Sequence, residues 1–144
     1  MVLFKRLKSK LAIGVAAAAA LCAVTVGPAS PAMASGTSCA SGYGSALTVC
    51  MYVDGASLYI NYLQSWTKNN SSIKYCNLHM QLVGPPGTIN NSAQGCLNPG
   101  QTSNSLYYYY YNNEPAGRYC VALWQAVGSG YTKIAEPCVT VYSS

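Results

Sequence analysis

The stretch SLYYYYYNNEPAGRYCVALWQAVGSGYTKIAEPCVTVY, Ser105 to Tyr142, decides the fold. It holds three runs rich in β-branched and aromatic residues, separated by Asn, Pro and Gly, the punctuation of strands and tight turns. The last two runs flank Gly128-Ser129-Gly130, and a hairpin centred on Ser129 sets Cys120 opposite Cys138. Directly opposed cysteines of an antiparallel pair come within disulfide reach at a non-hydrogen-bonded site. In that register Tyr119, Val121 and Leu123 share a face with Val139 and Val141. Pro137 has no N–H to donate and marks the last strand as an edge or a bulge. In the leading run, alternation points Leu106, Tyr108 and Tyr110 inward and Tyr107, Tyr109 and Tyr111 outward.

Upstream, LTVCMYV and ASLYINYL are joined by Asp54-Gly55, the strongest short-range hairpin signal, because Gly tolerates the positive φ of a two-residue turn. Leu47, Val49, Met51 and Val53 are expected on one face, with Leu58, Ile60 and Tyr62 across the turn. Ser65 to Ser72 reads as a polar loop and Ser35 to Ala46 as irregular. Ile73 to Val83 alternates with period two: Cys76, Leu78, Met80 and Leu82 on one face, Asn77, His79 and Gln81 on the other. That pattern marks a half-buried strand and makes His79 a solvated surface residue. Gly84 to Gly100, with a Pro-Pro pair, four glycines and an Asn-Pro-Gly turn, reads as one long loop pinned by Cys96.

The first thirty-four residues stand apart. Lys5, Arg6, Lys8 and Lys10 precede the apolar Leu11 to Gly27, and Ala32-Met33-Ala34 presents small residues before Ser35, the pattern of a secretory signal peptide. A membrane anchor is the competing reading, since the apolar run reaches the lower limit of about 17 residues for a span, but its Pro-containing, small-residue tail favours cleavage. Lipid attachment at Cys22 is disfavoured by the bulky Leu21 before it. The domain is therefore expected to be residues 35–144, exported and free of the membrane once cleaved. Its cations are then Lys68, Lys74, Arg118 and Lys133 against Asp54, Glu114 and Glu136, a net charge of +1 where the whole chain has +5. No basic cluster of the kind nucleic acid demands is present.

Cys39, Cys50, Cys76, Cys96, Cys120 and Cys138 remain after the leader, an even number in an exported chain, and read as three disulfides. Zinc would want closer pairs or histidine partners, and His79 is the only histidine. A sequential pairing is expected, Cys39 with Cys50, Cys76 with Cys96 and Cys120 with Cys138. Only the last pair follows from strand geometry.

Pro115-Ala116-Gly117-Arg118-Tyr119-Cys120-Val121, lying after one strand and before a Gly-turned hairpin, resembles the lead-in to the penultimate strand of immunoglobulin-like and fibronectin-type sandwiches. In those folds a tyrosine near the strand start packs at the corner between strands. The resemblance covers roughly the last forty residues and departs from the antibody pattern: Tyr119 directly precedes Cys120, and Trp66 and Trp124 are the only tryptophans available to pack on a disulfide. It implies an all-β, disulfide-stapled β-sandwich of about seven strands and implies no function, because unrelated functions share that architecture.

Catalysis has little to work with. Asp54, Glu114 and Glu136 are scattered over a turn, a corner and an edge, no nucleophile motif surrounds any serine, and no phosphate loop or metal spacing occurs. A non-enzyme with no cofactor is expected. Binding has more: Tyr107, Tyr109 and Tyr111 form an outward aromatic row, with Asn112 and Asn113 beside it as hydrogen-bonding groups. The expected partner is an extracellular protein or an envelope polysaccharide, with the chain acting alone or as an adaptor of a secreted assembly. A self-associating surface protein and a protease inhibitor using the Gly84 to Gly100 loop are the alternatives.

Overall fold

The structure, a computed structural model, describes residues 35–103 and 106–143. The leader expected over residues 1–34 lies outside the described residues. The described chain is all strand and turn: β1 (Gly36–Gly42), β2 (Leu47–Ala56), β3 (Tyr59–Asn69), β4 (Tyr75–Gly84), β5 (Gly87–Asn91), β6 (Gly95–Leu97), β7 (Leu106–Asn113), β8 (Gly117–Val127), β9 (Gly130–Ala135) and β10 (Cys138–Val141). They form two antiparallel sheets. Sheet A has the order β1-β2-β3-β7; sheet B has β10-β8-β4-β5, with β6 also on β4 and β9 also on β8.

Alternation explains why the sheets stack. Leu47, Val49, Met51, Val53, Ile60 and Leu63 of sheet A meet Leu78, Met80, Leu82, Tyr119, Val121, Leu123 and Val141 of sheet B in one buried cluster. Each fully buried aliphatic side chain there contributes about 1.5–3 kcal/mol. The result is a β-sandwich whose two outer faces remain available for other work.

All three disulfides join strands of the same sheet. Cys39–Cys50 ties β1 to β2, Cys76–Cys96 ties β4 to β6 and Cys120–Cys138 ties β8 to β10, the sequential pairing expected. The antibody pattern of a bridge between sheets is therefore not reproduced. Trp66 stands directly opposite Cys50 across β2 and β3, so its neighbour is a bridge within sheet A. The tyrosine feature is present: Tyr119 is fully buried and its hydroxyl donates to the Pro115 carbonyl at 2.9 Å, closing the corner before β8.

Ten strands replace the expected seven, for reasons that can be read residue by residue. Ser35 to Ala46 is not irregular: its small polar residues pair as β1 in unbroken register with β2, from Gly36↔Val53 to Gly42↔Leu47. Gly84 to Gly100 is not one loop either, because β5 and β6 take successive halves of the edge beside β4. The last run is divided at Pro137 into β9 and β10, which share the edge beside β8.

The Asp54-Gly55 turn is also displaced. The strands continue to Ala56↔Tyr59, and Ser57-Leu58 make the turn, with Ser57 at φ 52°. Gly55 serves instead for close approach, since a Cβ there would lie 2.2 Å from the Tyr59 carbonyl oxygen. The Ser35 hydroxyl accepts from Gly55 N and donates to Gly55 O, holding that backbone in place. A bulge at Asn61 then breaks the alternation, so Ile60 and Leu63 both enter the core while Tyr62 shares no face with Ile60. Asn77, at φ 61°, does the same in β4, and Tyr75 rather than Cys76 packs against the core.

The expected loop Ser65 to Ser72 is mostly strand, because its inward residues are polar yet satisfied. Ser65 and Thr67 donate to the Met80 sulfur of the opposite sheet at 3.8 and 3.4 Å. Asn69, fully buried, donates to Ile73 O and Leu97 O and accepts from the amide and hydroxyl of Ser71. A buried amide with that many partners fixes the turn after β3 and the segment after β6 together.

Candidate binding faces

β7 forms the edge of sheet A and pairs with β3, from Tyr59↔Asn113 to Ser65↔Leu106. Leu106 and Tyr110 pack against the core, and Tyr108 meets Tyr110 edge-on at 4.8 Å. Burial first, and then the Glu114 carboxylate, raise the Tyr110 phenol well above its ordinary range. The ladder carries one extra residue in β7 between Tyr109 and Asn112, where Tyr111 adopts φ 54°. Alternation along β7 is unbroken by that extra residue, and Tyr111 stays in line with Tyr107 and Tyr109.

Tyr107, Tyr109 and Tyr111 are all exposed, by 42%, 57% and 61%. Their rings run nearly parallel, with centroids 6.1 Å apart between Tyr107 and Tyr109 and 5.8 Å between Tyr109 and Tyr111. Two tyrosines that sequence reading left out extend the row across the sheet. Tyr62 of β3 touches both Tyr107 and Tyr109, and Tyr52 of β2 touches Tyr62 at 5.8 Å. Asp54 anchors this end, accepting from the Tyr52 hydroxyl at 3.1 Å and from the Asn61 amide at 2.8 Å. Burial first, then the bond to Asp54, raise the Tyr52 phenol above its ordinary range.

The two asparagines divide. Asn113 lies opposite exposed Tyr59 on the tyrosine side, whereas Asn112 lies opposite buried Ile60, a register that puts it on the other face. No period-two count could find Tyr52 and Tyr62, because their place beside β7 depends on strand order.

The outer face of sheet B carries a second aromatic group. His79 lies opposite Trp124 on β8 and meets the Tyr131 ring of β9 edge-on at 5.0 Å. It is half-buried, not solvated as expected, because Tyr131 covers it. Among the described residues no three His, Cys, Asp or Glu side chains come together. Fold and faces thus define a class, a small disulfide-bridged two-sheet β-protein with an aromatic surface on each side. Compared with models of known protein families, with curated proteins and with solved structures, the chain matches none.

Proposed function

We propose that this chain is an exported recognition module that works by binding, with the five-tyrosine face of sheet A as its site and an extracellular protein or envelope glycan as its partner. The observation that carries the reading is the contiguity of Tyr52, Tyr62, Tyr107, Tyr109 and Tyr111 on one sheet face, with Tyr107, Tyr109 and Tyr111 exposed and Tyr52 and Tyr62 partly buried. Such a group offers large amphipathic area at low side-chain entropy cost, on strands that hold it rigid. The tyrosines stand beside Asp54, with Lys68 further along the same face of β3, so recognition among the rings rests on ring contact and hydroxyl hydrogen bonds. Three internal disulfides suit an oxidising compartment, which agrees with export. The inhibitor alternative loses the free loop it needs, since β5 and β6 are paired to β4.

The test is tyrosine footprinting. Oxidised protein is nitrated alone and in the presence of the producing cells' medium and envelope fractions, and modified tyrosines are located by mass spectrometry. Selective protection of Tyr107, Tyr109 and Tyr111, with Tyr142 still modified, supports the reading. Equal modification under all conditions removes it.

A further inference from the structure

The cleft on the outer face of sheet B is separate from the tyrosine row and has its own chemistry. His79, Gln81, Trp124 and Tyr131 line an open space of about 220 Å³. The walls are held in place: Trp124 Nε1 donates to Gln81 Oε1 at 3.2 Å, and Gln94, on the arch between β5 and β6, donates to the Tyr131 hydroxyl at 3.2 Å. His79 also borders a second cavity of about 300 Å³, which passes beneath that arch toward Thr67 and Met80.

Three properties restrict what fits. The walls are aromatic, so the occupant must present an apolar surface. The charges at the rim cancel, because Lys133 bonds Glu136 at 2.8 Å while its ammonium lies 5.6 Å from the Trp124 ring centre. A cationic ligand would meet that ammonium, and an anionic one would have to displace Glu136. Finally, His79 Nδ1 is buried and has no hydrogen-bond partner. An orphaned buried polar atom is unfavourable, and its cost is relieved when the ring turns to bring that nitrogen to a ligand group.

A neutral ring with one C–H face and a fringe of hydroxyls meets all three conditions. The geometry points to a saccharide site on sheet B, in which one neutral pyranose residue lies against Trp124 and Tyr131, hydrogen-bonds Gln81 and, as the His79 ring turns, takes up His79 Nδ1. Its position on the opposite sheet makes it independent of the tyrosine face, so a chain with both would be able to bridge a glycan and a second partner.

The experiment is an NMR titration of the oxidised protein, expressed from the full chain, with the methyl glycosides of glucose, galactose, mannose and N-acetylglucosamine. The signals followed are the Trp124 indole N–H and the His79 ring. Tyr131 is exposed, so Tyr131→Ala leaves the core intact. The expected result is saturable shifts at Trp124 and His79 with at least one glycoside, about tenfold weaker in Tyr131→Ala and unchanged when Tyr107, Tyr109 and Tyr111 are replaced by Ala. The proposal is overturned by no shift with any of the glycosides, by shifts that Tyr131→Ala leaves unaltered, or by shifts that vanish with the sheet A tyrosines.

Discussion

Cys120 and Cys138 face each other across β8 and β10 because β9 carries one residue more than the strand beside it. The hairpin turns at Gly128-Ser129 with Val127 opposite Gly130, a register that left unbroken would set Cys120 against Pro137. The ladder shifts between Leu123/Ala135 and Trp124/Lys133, leaving Ile134 as the extra residue, and the cysteines come into line. Pro137 falls in the gap between β9 and β10, where its missing N–H does no harm and its carbonyl accepts from Val121 N at 3.1 Å.

This bridge closes a separation of 18 residues. Replacing both Cys120 and Cys138 by Ser is expected to lower stability by about 3 kcal/mol, measured by urea unfolding of the oxidised proteins. Deleting Ile134 should leave the bridge intact, because removing the extra residue restores an unbroken ladder with the cysteines still opposed. Free-thiol titration reads that outcome.

Gly55 and Ser57 test the displaced turn with opposite signs. Gly55→Ala drives a Cβ to 2.2 Å from a backbone oxygen and is expected to cost more than about 2 kcal/mol. Ser57→Gly relieves a left-handed residue and should stabilise by about 0.5–1 kcal/mol. Had Asp54-Gly55 formed the turn, the Gly55 change would be mild and the Ser57 change destabilising, so thermal unfolding of the two variants separates the arrangements.

Asn69→Ala strips partners from the Ile73 and Leu97 carbonyls and from Ser71 at once. A loss of about 3 kcal/mol is expected, with faster exchange of the Gly100 amide, which donates to the carbonyl of residue 69, and of the amide of residue 69, which donates to Gln101 O.

Tyr119 links stability to alkaline pH. Burial first, and the Glu114 carboxylate second, raise its phenol from the ordinary 10.0 to about 12. A folded-state value above the unfolded one means the native state holds the proton longer. The associated stability is therefore fully present below about pH 10 and is lost as pH rises toward about 12. Tyr119→Phe should cost about 1 kcal/mol at neutral pH through the lost bond to Pro115 O and should flatten this alkaline decline, as followed by unfolding across that range.

The hydrophobic alternation of Leu47 to Val53, of Leu78 to Leu82 and of Tyr119 to Leu123 was legible in the sequence, and with it the all-β class and the opposed cysteines of the last hairpin. What escaped was set by polar and bulged positions. β1 has almost no apolar signal because it is an edge strand held by backbone pairing and Cys39. Ser65, Thr67 and Asn69 look like loop residues until their partners Met80, Ser71 and Leu97 are in place. Tyr107, Tyr109 and Tyr111 were visible as a row, but Tyr52 and Tyr62 join them through strand order, and the His79, Trp124 and Tyr131 group needs β4 brought beside the distant β8–β9 hairpin.

The central claim is that the tyrosine face of sheet A recognises a partner, and capture tests it most directly. Oxidised protein on resin is exposed to the producing cells' medium and envelope fractions beside a Tyr107/Tyr109/Tyr111→Ala variant, and bound protein and glycan are identified. The account predicts specific capture of one component by the unaltered chain and its loss in the variant. Equal capture by both, or capture by neither, would contradict it.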